Sequence, residues 1–215
     1  IIGSSYRITM ITPRMVRLEY QKDGIFQDEL TQVVRNRTFS NCEFRLIEKE
    51  EQLEIITDYI HVTYNKKEFS NQGLSIKVRG NLTVYNSTWN YGDSIHDLKG
   101  TARTLDLADG EVELDHGILS WNGFSILDDS HSFGVDKEGR LTTPTKDYID
   151  LYFFGYGRAY LDALKDYYRL TGSTPLLPRY ALGNWWSRFY RYTQKSYMEL
   201  MDKFEAKKVP LAVAV

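Results

Sequence analysis

Cysteine is nearly absent. Cys42 is the only one among 215 residues, which excludes an intrachain disulfide and a cysteine-held metal cluster. Histidine is scarce too, and His61, His96, His116 and His131 show no metal-ligand spacing, so no metal or other cofactor is expected. No apolar run approaches the roughly 20 residues needed to span a bilayer. The opening residues, Ile1 to Ser5, have neither the charged start nor the apolar stretch of a secretory signal. A reducing cytoplasm is the expected compartment, and the glycosylation sequons at Asn36, Asn81 and Asn86 read as chance matches. Charge of one sign is also missing: 27 Lys and Arg stand against 29 Asp and Glu, a net charge of -2. That balance leaves no footprint for nucleic acid or an acidic membrane surface, and neither is expected as a partner.

What is present is a core. Hydrophobic residues make up 42% and aromatic residues 14%, with 16 Tyr, which argues against a disordered chain. The rings suit sugar faces and β-sandwich interiors equally well, so they do not decide function. Up to about residue 154 the pattern has period 2. Val16, Leu18 and Tyr20 alternate with Arg17 and Glu19; Ile60, Val62 and Tyr64 with His61 and Thr63; Leu74, Ile76 and Val78 with Ser75, Lys77 and Arg79. Short half-buried strands separated by polar turns such as Ser70-Asn71-Gln72-Gly73 imply a mainly β chain, folded as an antiparallel β-sandwich.

The pattern then changes to helical spacing. Leu161, Leu164, Tyr167 and Tyr168 share a face between Ala159 and Leu170, and Gly172 stands where a C-terminal cap belongs. Thr174-Pro175-Leu176-Leu177-Pro178 cannot continue that helix and reads as a stiff linker. An apolar run from Tyr180 to Trp186 follows, then a second helix capped by Thr193 with Tyr197, Leu200, Met201 and Phe204 on one face. Leu211 to Val215 is continuously apolar, as in a strand of a parallel sheet buried on both faces. Strand, helix and strand make one βαβ unit, too little to bury its own faces, so the chain is expected to be a fragment.

Two signals imitate chemistry. Asp128-Asp129 resembles an acid/base pair, but neighbours on a strand point to opposite faces, so a strand-end turn with one solvated carboxylate is the expectation. Gly155-Tyr156-Gly157-Arg158-Ala159-Tyr160 imitates a dinucleotide fingerprint, yet Tyr160 replaces the third glycine and no acidic residue follows at the required distance. Glu48-Lys49-Glu50-Glu51 reads as a solvated turn, and no serine sits in a nucleophile elbow.

Several segments carry a resemblance in the same order along the chain. Leu170 to Pro178 followed by Ala181 to Phe189 resembles the entry to the barrel of glycoside hydrolase family 31. Leu98-Lys99-Gly100-Thr101-Ala102-Arg103-Thr104-Leu105-Asp106 resembles the loop that this family's N-terminal β-sandwich sends toward the active site. Gly117-Ile118-Leu119-Ser120, Gly123-Phe124-Ser125-Ile126, Asp128-Asp129-Ser130 and the stretch from Gln32 to Phe39 continue the match.

The resemblance implies a β-sandwich over residues 1–154, a helix and linker over 155–178, and the truncated start of a (β/α)8 barrel over 179–215. It implies an α-glucosidase-like retaining hydrolase acting on α-linked oligosaccharides, with nucleophile and acid/base both lying beyond Val215. The barrel strand ending at Trp186 would place Ser187, Arg188 and Phe189 at the catalytic end. The substrate-binding candidates are therefore Phe189, Arg188, Trp186, Asp106 and Arg103, with an Asx turn as the plain alternative for Asp106. Phe189 stands where many family members carry tyrosine, which keeps ring stacking and removes a hydroxyl. A carbohydrate-binding sandwich without catalysis is the second reading and a sugar-independent interaction domain the third. Self-association through the open barrel edge is expected of the isolated chain.

Overall fold

The computed structural model describes residues 1–80, 87–102 and 104–215. Arg103 and the sequons at Asn81 and Asn86 lie wholly or partly outside the described residues. The chain divides into two compact units, Ile1–Ser173 and Thr174–Val215.

The first unit holds twelve described strands and one α-helix. They are β1 (Tyr6–Thr12), β2 (Met15–Tyr20), β3 (Leu30–Thr31), β4 (Arg45–Glu48), β5 (Leu53–Ile56), β6 (Ile60–Tyr64), β7 (Leu74–Val78), β8 (Thr88–Asn90), β9 (Ser125–Asp128), β10 (Gly134–Val135), β11 (Leu141–Thr142) and β12 (Ile149–Phe154), followed by α1 (Tyr160–Thr171). One antiparallel sheet runs β1-β2-β12-β9, a second β4-β5-β6-β7-β8, and a small third β11-β10-β3. The period-2 pattern becomes the core. Ile8, Val16, Leu18, Leu151 and Phe153 from the first sheet meet Leu53, Ile55, Val62, Tyr64, Ile76 and Trp89 from the second, all buried. Two sheets sharing one apolar interior make the sandwich expected from the sequence.

The first sheet is covered on its other face as well. Met15, Tyr152, Phe154 and Tyr156 pack with Val34 and with Ala163 and Leu170 of α1, so β2 and β12 are buried on both sides. The helix therefore belongs to the sandwich unit. Gly172 (φ 88°) ends it, donating its N–H to the Tyr168 carbonyl at 2.9 Å. The glycines of 155–160 serve this strand-to-helix turn. A side chain at Gly155 would run into Ile60 and Phe153, and Gly157 sits at φ 59°. Asp128 ends β9 exposed while Asp129 is buried, the opposite facing anticipated for neighbours on a strand.

The second unit holds a 3-10 turn (Arg179–Leu182), β13 (Trp185–Trp186), α2 (Gln194–Ala206) and β14 (Val213–Ala214). β13 and β14 are parallel, with Trp185 opposite Val213 and Trp186 opposite Ala214, which makes the βαβ connection real. Thr193 caps α2 through reciprocal bonds with Ser196, at 3.2 Å and 3.0 Å. Two expectations need correction. The run Tyr180 to Trp186 is extended only at its last two residues, because Pro178 opens a 3-10 turn closed by the Gly183 N–H on the Tyr180 carbonyl. Leu211 to Val215 is not buried on both faces within these residues: Val213 is half-buried and Ala212, Ala214 and Val215 are exposed. One partner strand and one helix are too few to cover it. Among the described residues, no helix is long and apolar enough to cross a membrane.

Candidate functional site

Residues 97–102 and 104–120 belong to an arm that leaves the sandwich and returns. Its base is an irregular antiparallel ribbon: Leu98 donates to the Leu119 carbonyl at 2.8 Å, Gly100 to Asp115 at 2.7 Å, and Asp97 bridges Ser120. Asp97 locks the base. Its side chain is 1% exposed, one oxygen accepts the Gly117 N–H, and the other meets His116 Nδ1 at 3.3 Å and Lys99 Nζ at 3.9 Å. Burial alone would push this carboxyl up, but the Gly117 N–H, His116 and Lys99 outweigh it and hold the pKa below the usual carboxylate range. Gly117 is needed there because an added Cβ would sit 2.6 Å from the Lys99 carbonyl oxygen.

The arm's outer part is solvated. Asp106 is exposed, and its N–H is held by Thr104 Oγ1 at 3.1 Å. The turn that follows closes from Ala108 N to the Leu105 carbonyl at 3.1 Å, so Thr104 rather than the Asp106 carboxylate organises it. Leu107 is fully exposed at 104% with φ 58°, an unfavourable setting for a γ-branched residue in left-handed backbone. Arg103, the other arm candidate, lies outside the described residues.

The second unit places the remaining candidates after β13. Phe189 is exposed at 109%, and the Arg188 guanidinium stacks 4.6 Å from the Tyr190 ring centroid. Trp186 lies on the α2 side of β13. Its ring packs with Phe204, Tyr192 and Tyr197 at centroid distances of 5.3, 6.2 and 6.3 Å, so it faces α2. The alternating strand geometry turns Trp185 the other way, where it is 52% exposed and donates Nε1–H to the Ala181 carbonyl at 3.2 Å. Its open ring is the one sequence reasoning did not choose.

Three further carboxylates are buried, and each is enclosed by structural partners. Glu19 accepts from Arg7 Nε and Nη2, both at 2.6 Å, and from the Tyr148 hydroxyl. Asp150 accepts from Arg17 Nε at 2.8 Å and Nη2 at 2.6 Å. Asp129 accepts from Thr31 Oγ1 at 2.9 Å, with Arg37 Nη2 at 3.8 Å. Burial raises the Asp129 carboxyl above the usual range against the pull of Ser132 and Thr31, and the neighbouring Asp150 adds to the rise. Closed in by Arg7, Arg17, Thr31 and Tyr148, this network holds the sheet's outer face, with Arg37 Nη2 buried beside it and lacking a hydrogen-bond partner among the described residues. Among the described residues, no cluster of His, Cys, Asp and Glu could hold a metal.

Known proteins give this geometry a setting. No family profile matches the chain. A curated α-xylosidase of Saccharolobus solfataricus is 32% identical over 123 residues, which are 55% of this chain and 17% of that protein. A GH31 dextranase of Flavobacterium johnsoniae, solved with isomaltotriose and with glucose, matches in fold over 97% of this chain and 31% of its own, at TM-score 0.54 and 14% identity. A GH31 α-xylosidase from a soil metagenome, solved with xylose, matches over 100% of this chain and 40% of its own, at TM-score 0.59 and 15% identity. The chain thus spans less than half the length of these relatives. These matches show a fold shared with two GH31 glycosidases and a partial sequence likeness to an α-xylosidase.

Proposed function

We propose that this chain is the N-terminal portion of a retaining family 31 glycosidase acting on α-linked glucosides. In this reading residues 1–154 are its sandwich, 155–178 helix and linker, and 179–215 the opening of its (β/α)8 barrel. The observation that supports it most is a double one: sequence identity to an α-xylosidase, and a fold shared over the full chain with two GH31 glycosidases. Barrel enzymes gather their active residues at the C-terminal ends of the strands. Ser187, Arg188 and Phe189 stand at that end of β13 and are the pocket-wall candidates of the second unit, while Asp106 is the candidate of the first.

A retaining glycosidase needs two carboxylates about 5–5.5 Å apart, one attacking the anomeric carbon and one protonating the leaving oxygen. Glu19, Asp129 and Asp150 are closed off by Arg7, Thr31 and Arg17. In this reading, which follows the family resemblance, nucleophile and acid/base are supplied by residues outside these 215. The preference for glucosides rests on the sequence resemblance, while the relatives' names speak of an α-xylosidase and a dextranase. Supplying the full-length protein with aryl α-glucoside and aryl α-xyloside, and following the product anomer by NMR, separates these. Net retention with faster glucoside turnover is expected. Inversion, or no turnover of either, defeats the reading.

A further inference from the structure

At one end of the sandwich a pocket of about 570 Å3 opens between the two sheets. Its floor is aromatic. Tyr20, at the end of β2, and Tyr91, just after β8, both rest on the buried Phe69, at ring-centroid distances of 5.5 Å and 5.6 Å. Trp89 braces Tyr91 from behind at 6.1 Å. Both tyrosines are only half-buried, so part of each ring remains open on a platform that its neighbours hold still. The rim is polar and exposed: Glu68, Asp128 and Asp147 supply carboxylates, and Lys22 and His131 supply nitrogen donors.

One rim carboxylate is oriented by a backbone N–H. Asp128 Oδ1 accepts the Ser130 N–H at 3.0 Å, which orients the group at the strand end. Asp147 sits in the turn before β12 at φ 56°, left-handed backbone that aspartate tolerates better than most residues. Behind it, Gln21 Nε2 donates to the Lys146 carbonyl at 3.3 Å and ties β2 to the same turn.

We infer that this pocket binds a neutral pyranose unit, seated on the Tyr20–Tyr91 platform with its hydroxyls held by Asp128, Asp147 and Glu68. The volume lies within the roughly 300–1,000 Å3 range of small-molecule sites. An apolar floor suits the C–H face of a sugar ring, and a rim of acceptors and donors suits hydroxyls, which play both roles. Three carboxylates against one lysine repel anions, so phosphates and uronic acids do not fit. The inference stands on this pocket alone and does not rest on the proposed glycosidase activity.

The test is amide NMR titration of the 215-residue chain with methyl α-glucoside, methyl α-xyloside and inorganic phosphate. Saturable shifts confined to residues near 20–22, 68, 91, 128–131 and 147 are expected with at least one glycoside and absent with phosphate. Glu68→Ala and Asp147→Gly, both at exposed positions, should each weaken binding about fivefold or more with the thermal midpoint retained. Tyr91→Leu should abolish binding, with circular dichroism confirming the fold. Overturning results are no saturable shifts with either glycoside, an equal response to phosphate, shifts centred elsewhere, or binding that survives all three substitutions. Because no catalysis is measured, failure here and failure of the glycosidase reading are separable.

Discussion

Arg17 and Asp150 are joined across β2 and β12 by two hydrogen bonds, 2.8 Å and 2.6 Å long, with side chains only 5% and 3% exposed. Such a buried bidentate pair adds little net stability over an apolar one, but removing one partner strands the other charge. Asp150→Ala is expected to destabilise the first unit by about 3–5 kcal/mol, measured by urea denaturation. A loss near zero would mean that water or Glu19 compensates Arg17.

Asp129 predicts a pH dependence. Its folded pKa is raised above the unfolded value by burial, so its contribution is fully present below the unfolded pKa and is lost as pH rises through the folded one. Asp129→Asn should therefore gain stability relative to the parent as pH climbs from about 4 toward 7, near the unfolded Asp value at the low end. Thermal melts across that range check it; a gain that grows toward acid contradicts the sign.

Most of the sandwich was legible because its signals are local. Val16, Leu18 and Leu74 alternate with polar neighbours, and Gly172 and Thr193 mark helix ends within a few residues. Arg17 and Glu19 were not legible as buried, because alternation assigns them to solvent. The groups that cover and pair them, Asp150 and Tyr148, come from more than 120 residues away. At the candidate site, the placement of Arg188 and Phe189 just after a strand was legible from the apolar run that ends at Trp186. The choice between Trp185 and Trp186 was not, since only packing against Phe204 decides which ring faces α2.

Asp97 anchors the arm, so Asp97→Ala leaves the Gly117 N–H without its acceptor. A loss of about 1–3 kcal/mol is expected, together with faster amide exchange across 97–120. Exchange unchanged in that stretch would show that the ribbon's backbone bonds suffice.

β13 and β14 pair with one another, with Val213 half-buried and Ala214 exposed. Burying an added Val or Leu is worth about 1.5–3 kcal/mol, and open strand edges invite pairing. The 215-residue chain should therefore self-associate with rising concentration in sedimentation, and Ala214→Lys should suppress this. A clean monomer at all concentrations would contradict the proposed open edge.

Under the proposed function these residues supply pocket wall to a family 31 glycosidase whose reacting carboxylates lie elsewhere. The most direct measurement compares release of nitrophenol from an aryl α-glucoside by the 215-residue chain and by the full-length protein at equal molarity. Turnover by the full-length protein and none above background by the 215 residues is expected. Turnover by the 215-residue chain itself would contradict it.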